Sequence, residues 1–150
     1  MKPYPHRYTV SAAGQTEGDV TLTSPSLPPI ASAAPPEFDG PAGLWSPETL
    51  LTAAVANCII LTFRAVARAS HFEWLTLECW TEGVLDRIEG VTQFTSFTTV
   101  ARLTVPAGAS EEKARKLLEK AERDCLVTNS LRGTRTMQIE VTHARAAQRA

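Results

Sequence analysis

Ser46-Pro47-Glu48-Thr49-Leu50-Leu51-Thr52-Ala53-Ala54-Val55-Ala56-Asn57-Cys58 opens the longest apolar stretch of a 150-residue chain. Ser46 suits a helix cap, Pro47 the first helical position, and Glu48 the turn where the helix dipole favours a negative charge. The pattern predicts a helix running to about Ala69. Its apolar residues, from Leu50 and Leu51 through Ala53, Ala54, Val55, Ala56, Ile59, Ile60, Leu61 and Phe63 to Val66, cover nearly the whole circumference. A helix apolar on all sides must be covered on all sides. One sheet of a small monomer shields one side, so the sequence predicts a homodimer whose second copy covers the other. Thr52, Asn57, Thr62, Arg64 and Arg68 interrupt the stretch, whereas a membrane span needs about 20 mostly apolar residues. It reads as a buried helix and not as a membrane segment.

Upstream, Tyr8, Val10, Val20 and Leu22 flank Ala13-Gly14-Gln15-Thr16-Glu17-Gly18, the pattern of an N-terminal hairpin. The proline-rich segment 24–45 comes next as a loop in which Pro29 to Ser32 suits a short strand. Downstream, Glu73 to Asp86 alternates, with Leu75, Leu77 and Cys79 on one face and Trp74, Thr76, Glu78 and Trp80 on the other. Asp86 to Gly90 offers a turn, and Val91 to Val105, rich in Thr, Phe and Val, completes a long hairpin. Ser110-Glu111-Glu112 starts a second, amphipathic helix with Ala114, Leu117, Leu118 and Ala121 at helical spacing. A short helical piece from Cys125 to Leu131 precedes a last strand over Thr136 to Val141, with Arg145 to Ala150 fraying. Strands, helix, hairpin, helix and strand in that order indicate an α+β fold, most simply one domain over 1–150.

With 15 basic against 16 acidic residues and 43% hydrophobic content, the chain has no excess positive field for a phosphate backbone, which argues against nucleic acid as a partner. Met1 to Thr9 is too polar for the core of a secretory signal, so a cytoplasmic location is expected. Three cysteines are too few for a disulfide scaffold, and their spacing suits no zinc site. His6, His71 and His143 are scattered and read as surface residues.

Each cysteine has two readings. Cys58 is either a small buried hydrophobe or a thiol served by Asn57 and by the thin helix surface at Ala53, Ala54 and Ala56. Cys125 is either a partly buried loop residue or a thiol activated by the amides of a following helix. Cys79, mid-strand, reads as structural. Glu48 is either a helix-start charge or the group that orients a cation or peroxide near a thiolate. In one straight helix, Glu48 and Cys58 are separated by about 15 Å of rise, too far to serve one site. If both are functional, Glu48 reaches the thiol of the other subunit.

At these residues the chain resembles the OsmC/Ohr family, the osmotically inducible and organic hydroperoxide resistance proteins. The likeness rests on Ser46-Pro47-Glu48-Thr49-Leu50 leading to Ala56-Asn57-Cys58, and on Cys125-Leu126-Val127-Thr128-Asn129-Ser130-Leu131. It implies antiparallel sheets wrapped around a buried central helix in an intertwined homodimer. It also implies a thiol peroxidase that reduces organic hydroperoxides and protects against oxidative stress, without cofactor or metal. Cys58 would be the peroxidatic thiolate, Cys125 its disulfide partner, Glu48 the orienting carboxylate, and an external dithiol or lipoyl-type compound the reductant. One departure stands out. The family's active-site arginine comes from the hairpin or the loop before the helix, yet no arginine lies between Tyr8 and Arg64. Arg7, Arg64, Arg132 and Arg135 are the candidates to replace it. Its absence supports the alternative of a binding protein or redox sensor with the same fold. A cysteine hydrolase, the third reading, would need His71 or His143 beside a thiol.

Overall fold

The computed structural model describes residues 3–145. Apart from Arg145, the segment expected to fray, Arg145 to Ala150, lies outside the described residues. The chain divides into two compact units, 1–50 and 51–150.

In the first unit, β1 (Ser11–Ala13), β2 (Val20–Thr23) and β3 (Ile30–Ser32) form an antiparallel sheet in that order, with Ala12 opposite Leu22 and Thr21 opposite Ala31. The hairpin forms within its expected span and the short strand lies after Pro29, but the first strand begins past Tyr8 and Val10 and takes in Ala13, which the sequence places in the turn. A parallel bridge from Ser32 to Trp45 and a 2.9 Å bond from the Ala33 amide to the Trp45 carbonyl hold the end of the proline-rich loop beside β3. Inside that loop Pro36–Phe38 forms a single 3-10 turn. Gly40 then passes so close to the Ala34 carbonyl that a Cβ there would lie 1.7 Å from its oxygen, and no other residue fits this approach.

Helix α1 (Pro47–Ala69) starts and stops at the residues its sequence predicts. Ser46 Oγ accepts from the Thr49 amide at 3.2 Å, and Thr49 Oγ1 accepts from the Ser46 amide at 2.8 Å. This reciprocal pair has the form of a capping box with threonine in place of glutamate. At the far end the Phe72 amide reaches back to the Ala67 carbonyl at 2.9 Å while His71 takes a left-handed φ of 48°, a closure of the Schellman type.

In the second unit, β4 (Thr76–Ile88) and β5 (Val91–Val105) form an antiparallel hairpin closed by Glu89 and Gly90, both at positive φ. Two-residue turns of this hand match the natural twist of the strands they join. Helix α2 (Glu111–Asp124) is capped by Ser110, whose Oγ accepts from the Lys113 amide at 3.1 Å. β6 (Thr134–His143) then lies alongside β5, in the order β4-β5-β6.

The β5–β6 pairing is parallel, which corrects the expectation of wholly antiparallel sheets. A helix between two strands carries the chain back along the sheet, so the next strand runs in the same direction as the first. The α+β class stands, with a βαβ crossover built into it. β6 also extends two residues beyond each end of its expected span.

The helices cover the inward face of this sheet. Phe63, Val66 and Ala67 of α1 meet Leu77, Ala101, Leu103 and Val105 of the strands and Ala114, Leu117, Leu118 and Ala121 of α2. All four residues expected on the buried face of α2 are there. The Leu75–Leu77–Cys79 face is not as expected. Leu75 precedes the strand and is exposed, while Trp74 packs edge-on against Phe63, centroids 5.4 Å apart. Alternation holds only once strand geometry begins at Thr76.

Although α1 is long and apolar enough to cross a membrane, its role here is to supply core. Val55, Cys58, Ile59, Phe63, Val66 and Ala67 are buried along one stripe. On its other side Leu61 is 50% exposed among the described residues.

Candidate active site

Cys58 belongs to the buried stripe of α1, and Cys125 is the residue at which α2 ends. The fold brings them into one apolar cluster with Val55, Ile59 and Phe97, edged by Leu51, Phe94, Val127, Leu131 and Met137. Both thiols are free. Cys125 is fully buried and Cys58 is 9% exposed, so a reagent in solution meets Cys58 first. Cys58 Sγ also lies 3.8 Å from Thr62 Oγ1, one turn further along the helix. Asn57 is exposed beside it.

The floor under the thiols depends on a β-bulge. Val84 pairs with Ser96 and Leu85 with Phe94, which leaves Thr95 as an extra residue on β5. Phe94 and Phe97 would otherwise point to opposite faces of the strand. The extra residue lets them stack, with ring centroids 5.0 Å apart. Gly83 lies beneath the pair, where a Cβ would come within 2.9 Å of Phe94, 3.0 Å of Thr52 Oγ1 and 3.1 Å of Phe97.

Burial pushes the Cys125 thiol above its ordinary value. Hydrogen bonds from the Thr128 hydroxyl and amide draw it partly back, and the adjacent Cys58 raises it again. The turn after Cys125 thus acts in the expected direction, and burial outweighs it. The segment after Cys125 forms a single 3-10 turn, Thr128–Ser130, and Cys125 itself sits at the negative, C-terminal end of α2. Desolvation pushes Cys79 up to about 11. Cys79 packs against the thiol cluster and the main core alike, as expected for a structural residue.

Glu48 lies in the first turn of α1, half-buried, with Oε2 shielded from solvent. It lines an apolar cavity of about 490 Å³ within the first unit, together with Val20, Leu22, Phe38 and Leu50. Glu48 and Cys58 are ten residues apart in one helix, or about 15 Å of rise.

Of the four candidate arginines, Arg135 is tied to the thiol segment. Its Nη1 donates to Asn129 Oδ1 at 2.7 Å and to Thr128 Oγ1 at 3.3 Å. Arg64 and Arg132 are exposed, as is Arg7 in the first unit. His71 closes α1 and His143 Nε2 lies 2.9 Å from the Ala109 carbonyl oxygen, so neither of these two histidines belongs to the thiol cluster. Among the described residues no group of three or more His, Cys, Asp or Glu is arranged to hold a metal. Sequence reasoning did not anticipate the aromatic floor, because its signal is a pairing shift that appears only when β4 meets β5.

A buried dithiol set between two helices and a bulged sheet is the site that this fold presents. The sequence profile of the OsmC-like proteins matches residues 40–141, and the chain belongs to that family. It is 28% identical over 132 residues to the uncharacterized protein YmaD of Bacillus subtilis strain 168, covering 86% of this chain and 83% of that one. Its fold is similar to that of a Vibrio cholerae OsmC-like protein of unknown function, with a TM-score of 0.81 at 17% identity over 90% of this chain and 99% of that one. It is similar also to the organic hydroperoxide resistance protein OsmC of Legionella pneumophila, with a TM-score of 0.71 at 24% identity over 93% and 99% of the two chains. The α+β fold with two sheets and two helices is that of the OsmC/Ohr structures.

Proposed function

We propose that this protein is a cytoplasmic, homodimeric thiol peroxidase that reduces organic hydroperoxides and protects against oxidative stress. The observation that carries the reading is that Cys58 and Cys125, distant in sequence and both free, belong to one buried cluster.

The Cys58 thiolate attacks the distal oxygen of ROOH. The O–O bond breaks, the alcohol ROH leaves, and Cys58 becomes a sulfenic acid. The Cys125 thiolate then attacks the Cys58 sulfur, an S–S bond replaces the S–O bond, and hydroxide leaves and is protonated to water. An external dithiol, of the lipoyl type, reopens the disulfide through a mixed disulfide. The two thiols and the dithiol supply every electron, so the cycle calls for no metal or flavin. A reducing cytoplasm sustains such a cycle.

Specificity arises from the surroundings. Val55, Ile59, Phe94 and Phe97 around the thiols favour an alkyl chain over water. The homodimer is inferred from the exposed apolar side of α1, and it gives Glu48 its role. Too far along the helix to serve its own Cys58, Glu48 of the partner subunit orients the hydroperoxide there, beside an apolar cavity.

Intact mass and thiol count before and after one equivalent of cumene hydroperoxide test this reading. The parent should lose two thiols and about two mass units. Cys125→Ser should stop at a sulfenic acid, and Cys58→Ser should remain unchanged. A parent that keeps its thiols refutes the peroxidase.

The lack of an arginine between Tyr8 and Arg64 favours a second reading, a redox sensor or binding protein. Turnover separates the two, since a sensor oxidises once while a peroxidase consumes many equivalents of peroxide with excess dithiol.

A further inference from the structure

Midway along α1, a thiolate has little to turn to. The backbone amides of a helix interior are spent on carbonyls four residues back. Packed around Cys58 are the apolar Val55 and Ile59 of its own helix, Phe94 and Phe97 of β5, and Met137 of β6. A charge in such surroundings is costly unless a donor meets it. No arginine lies between Tyr8 and Arg64 to supply one from upstream. The titratable groups in the cluster are Cys125, from the end of α2, and Cys79, from β4, and burial holds both thiols above their ordinary values. On α1 itself Arg64 is exposed and Glu48 stands ten residues back. Arg135 of β6 donates to Asn129 Oδ1 and Thr128 Oγ1 in the turn after α2.

Thr62 meets the sulfur directly. Residues four apart in a helix are neighbours on one face, and the tilt of each Cα–Cβ bond toward the N-terminus carries the Thr62 side chain back toward Cys58. Thr62 Oγ1 lies 3.8 Å from Cys58 Sγ, a part-buried contact in which either atom can donate. A threonine inside a helix commonly turns its hydroxyl onto the carbonyl four residues back. Here the hydroxyl is in reach of the sulfur of that same residue. It has one proton and two lone pairs, so it accepts from the neutral thiol and donates to the thiolate. A hydrogen bond to an ionised acceptor is shorter and about twice as strong as a neutral one, so the contact tightens when Cys58 ionises.

We propose that Thr62 is a further catalytic residue: its hydroxyl donates to the Cys58 sulfur and holds it in the ionised, attacking form. The proposal rests on the peroxidase reading for its reaction, while the hydrogen bond itself is measured without peroxide. In the reaction the electron pair of the thiolate forms an S–O bond to the distal oxygen of ROOH and the O–O bond breaks. The sulfur is oxidised to a sulfenic acid, and the alkoxide takes a proton from water and leaves as ROH. Thr62 keeps its own proton throughout. Charge moves off the sulfur during attack, so the donor acts by raising the population of thiolate rather than by lowering the barrier of the attack.

Two measurements test it. In a Cys79→Ser/Cys125→Ser background Cys58 is the sole thiol, and its rate of alkylation by iodoacetamide across pH gives the ionisation midpoint. Thr62→Val keeps the shape and removes the hydroxyl, and it should raise the midpoint by about half to one pH unit. Thr62→Ala, which removes the hydroxyl with different packing, should raise it as well. Thr62→Ser, which keeps the hydroxyl, should stay near the parent. Below the midpoint such a shift lowers the thiolate fraction about three- to tenfold, partly offset because a more basic thiolate is a better nucleophile. Oxidation of Cys58 by cumene hydroperoxide, read as the gain of one oxygen in intact mass, should therefore slow about two- to fourfold in Thr62→Val below the midpoint and at least match the parent above it. An unmoved midpoint in Thr62→Val or Thr62→Ala, folded by circular dichroism, overturns the proposal. An equal rise in Thr62→Ser overturns it too, since packing then accounts for the shift. The expected midpoints in a parent that the hydroperoxide leaves unoxidised uphold the hydrogen bond and refute the peroxidase.

Discussion

The three cysteines occupy neighbouring space yet differ in what surrounds their sulfurs. Cys58 is 9% exposed, Cys125 is sealed, and the half-buried Cys79 is pushed up to about 11 by desolvation alone. At neutral pH Cys79 is a protonated packing residue. Cys79→Ala should therefore still lose two thiols on one equivalent of hydroperoxide, as counted by mass. Its other effect lies in the pH dependence of stability. A thiol whose folded value exceeds its ordinary 9.0 keeps its proton longer in the folded chain, so it contributes stability that is lost as pH rises from about 9 to about 11. Urea midpoints should fall more steeply across that window in the parent than in Cys79→Ala. Cysteine type and order were legible in the sequence. Which thiol is accessible was not, because exposure depends on what α1, α2 and β5 place around each sulfur.

The helices begin where capping chemistry says they should, since caps are local and a few residues contain the whole signal. The bulge in β5 and the glycine beneath it are different. Gly83 in a strand reads as a weak point, yet its lack of a Cβ admits the stacked Phe94–Phe97 pair and Thr52 of α1. Gly83→Ala forces contacts of about 3 Å against rigid rings, and overpacking of this kind costs about 1–3 kcal/mol. Chemical denaturation should show that loss. Closure of the disulfide should slow as well, because the floor that holds the thiol cluster moves. The parallel pairing of β6 was hidden for a similar reason. Its residues alternate as any half-buried strand does, and direction is set by the crossover helix before it.

At the scale of the molecule, the decisive feature is a helix that carries apolar residues on its buried stripe and on its exposed side alike. Six residues of α1 are buried on one stripe while Leu61 on the other side is half exposed. An exposed apolar side on a helix calls for a second surface, and a second copy of the chain fits the proposed role of Glu48. Sedimentation of the parent should give twice the chain mass. Leu61→Glu should shift it toward monomer and, by separating Glu48 of the partner subunit from Cys58, lower peroxide consumption at least tenfold.

The sequence by itself determined the family, the extents of both helices, the buried face of α2 and the long hairpin of β4 and β5. These are carried by short-range patterns: caps, periodicities of two and 3.6, and motifs of a dozen residues. Tertiary structure alone decided that Cys58 and Cys125 share one buried cluster, that burial pushes the Cys125 thiol up, that Trp74 and not Leu75 enters the core, and that Arg135 is tied to the turn after Cys125. The physical reason is common to all four. Each depends on which surfaces meet when α1, α2 and the sheet close on one another, and burial, field and hydrogen bonding at a site are properties of that meeting.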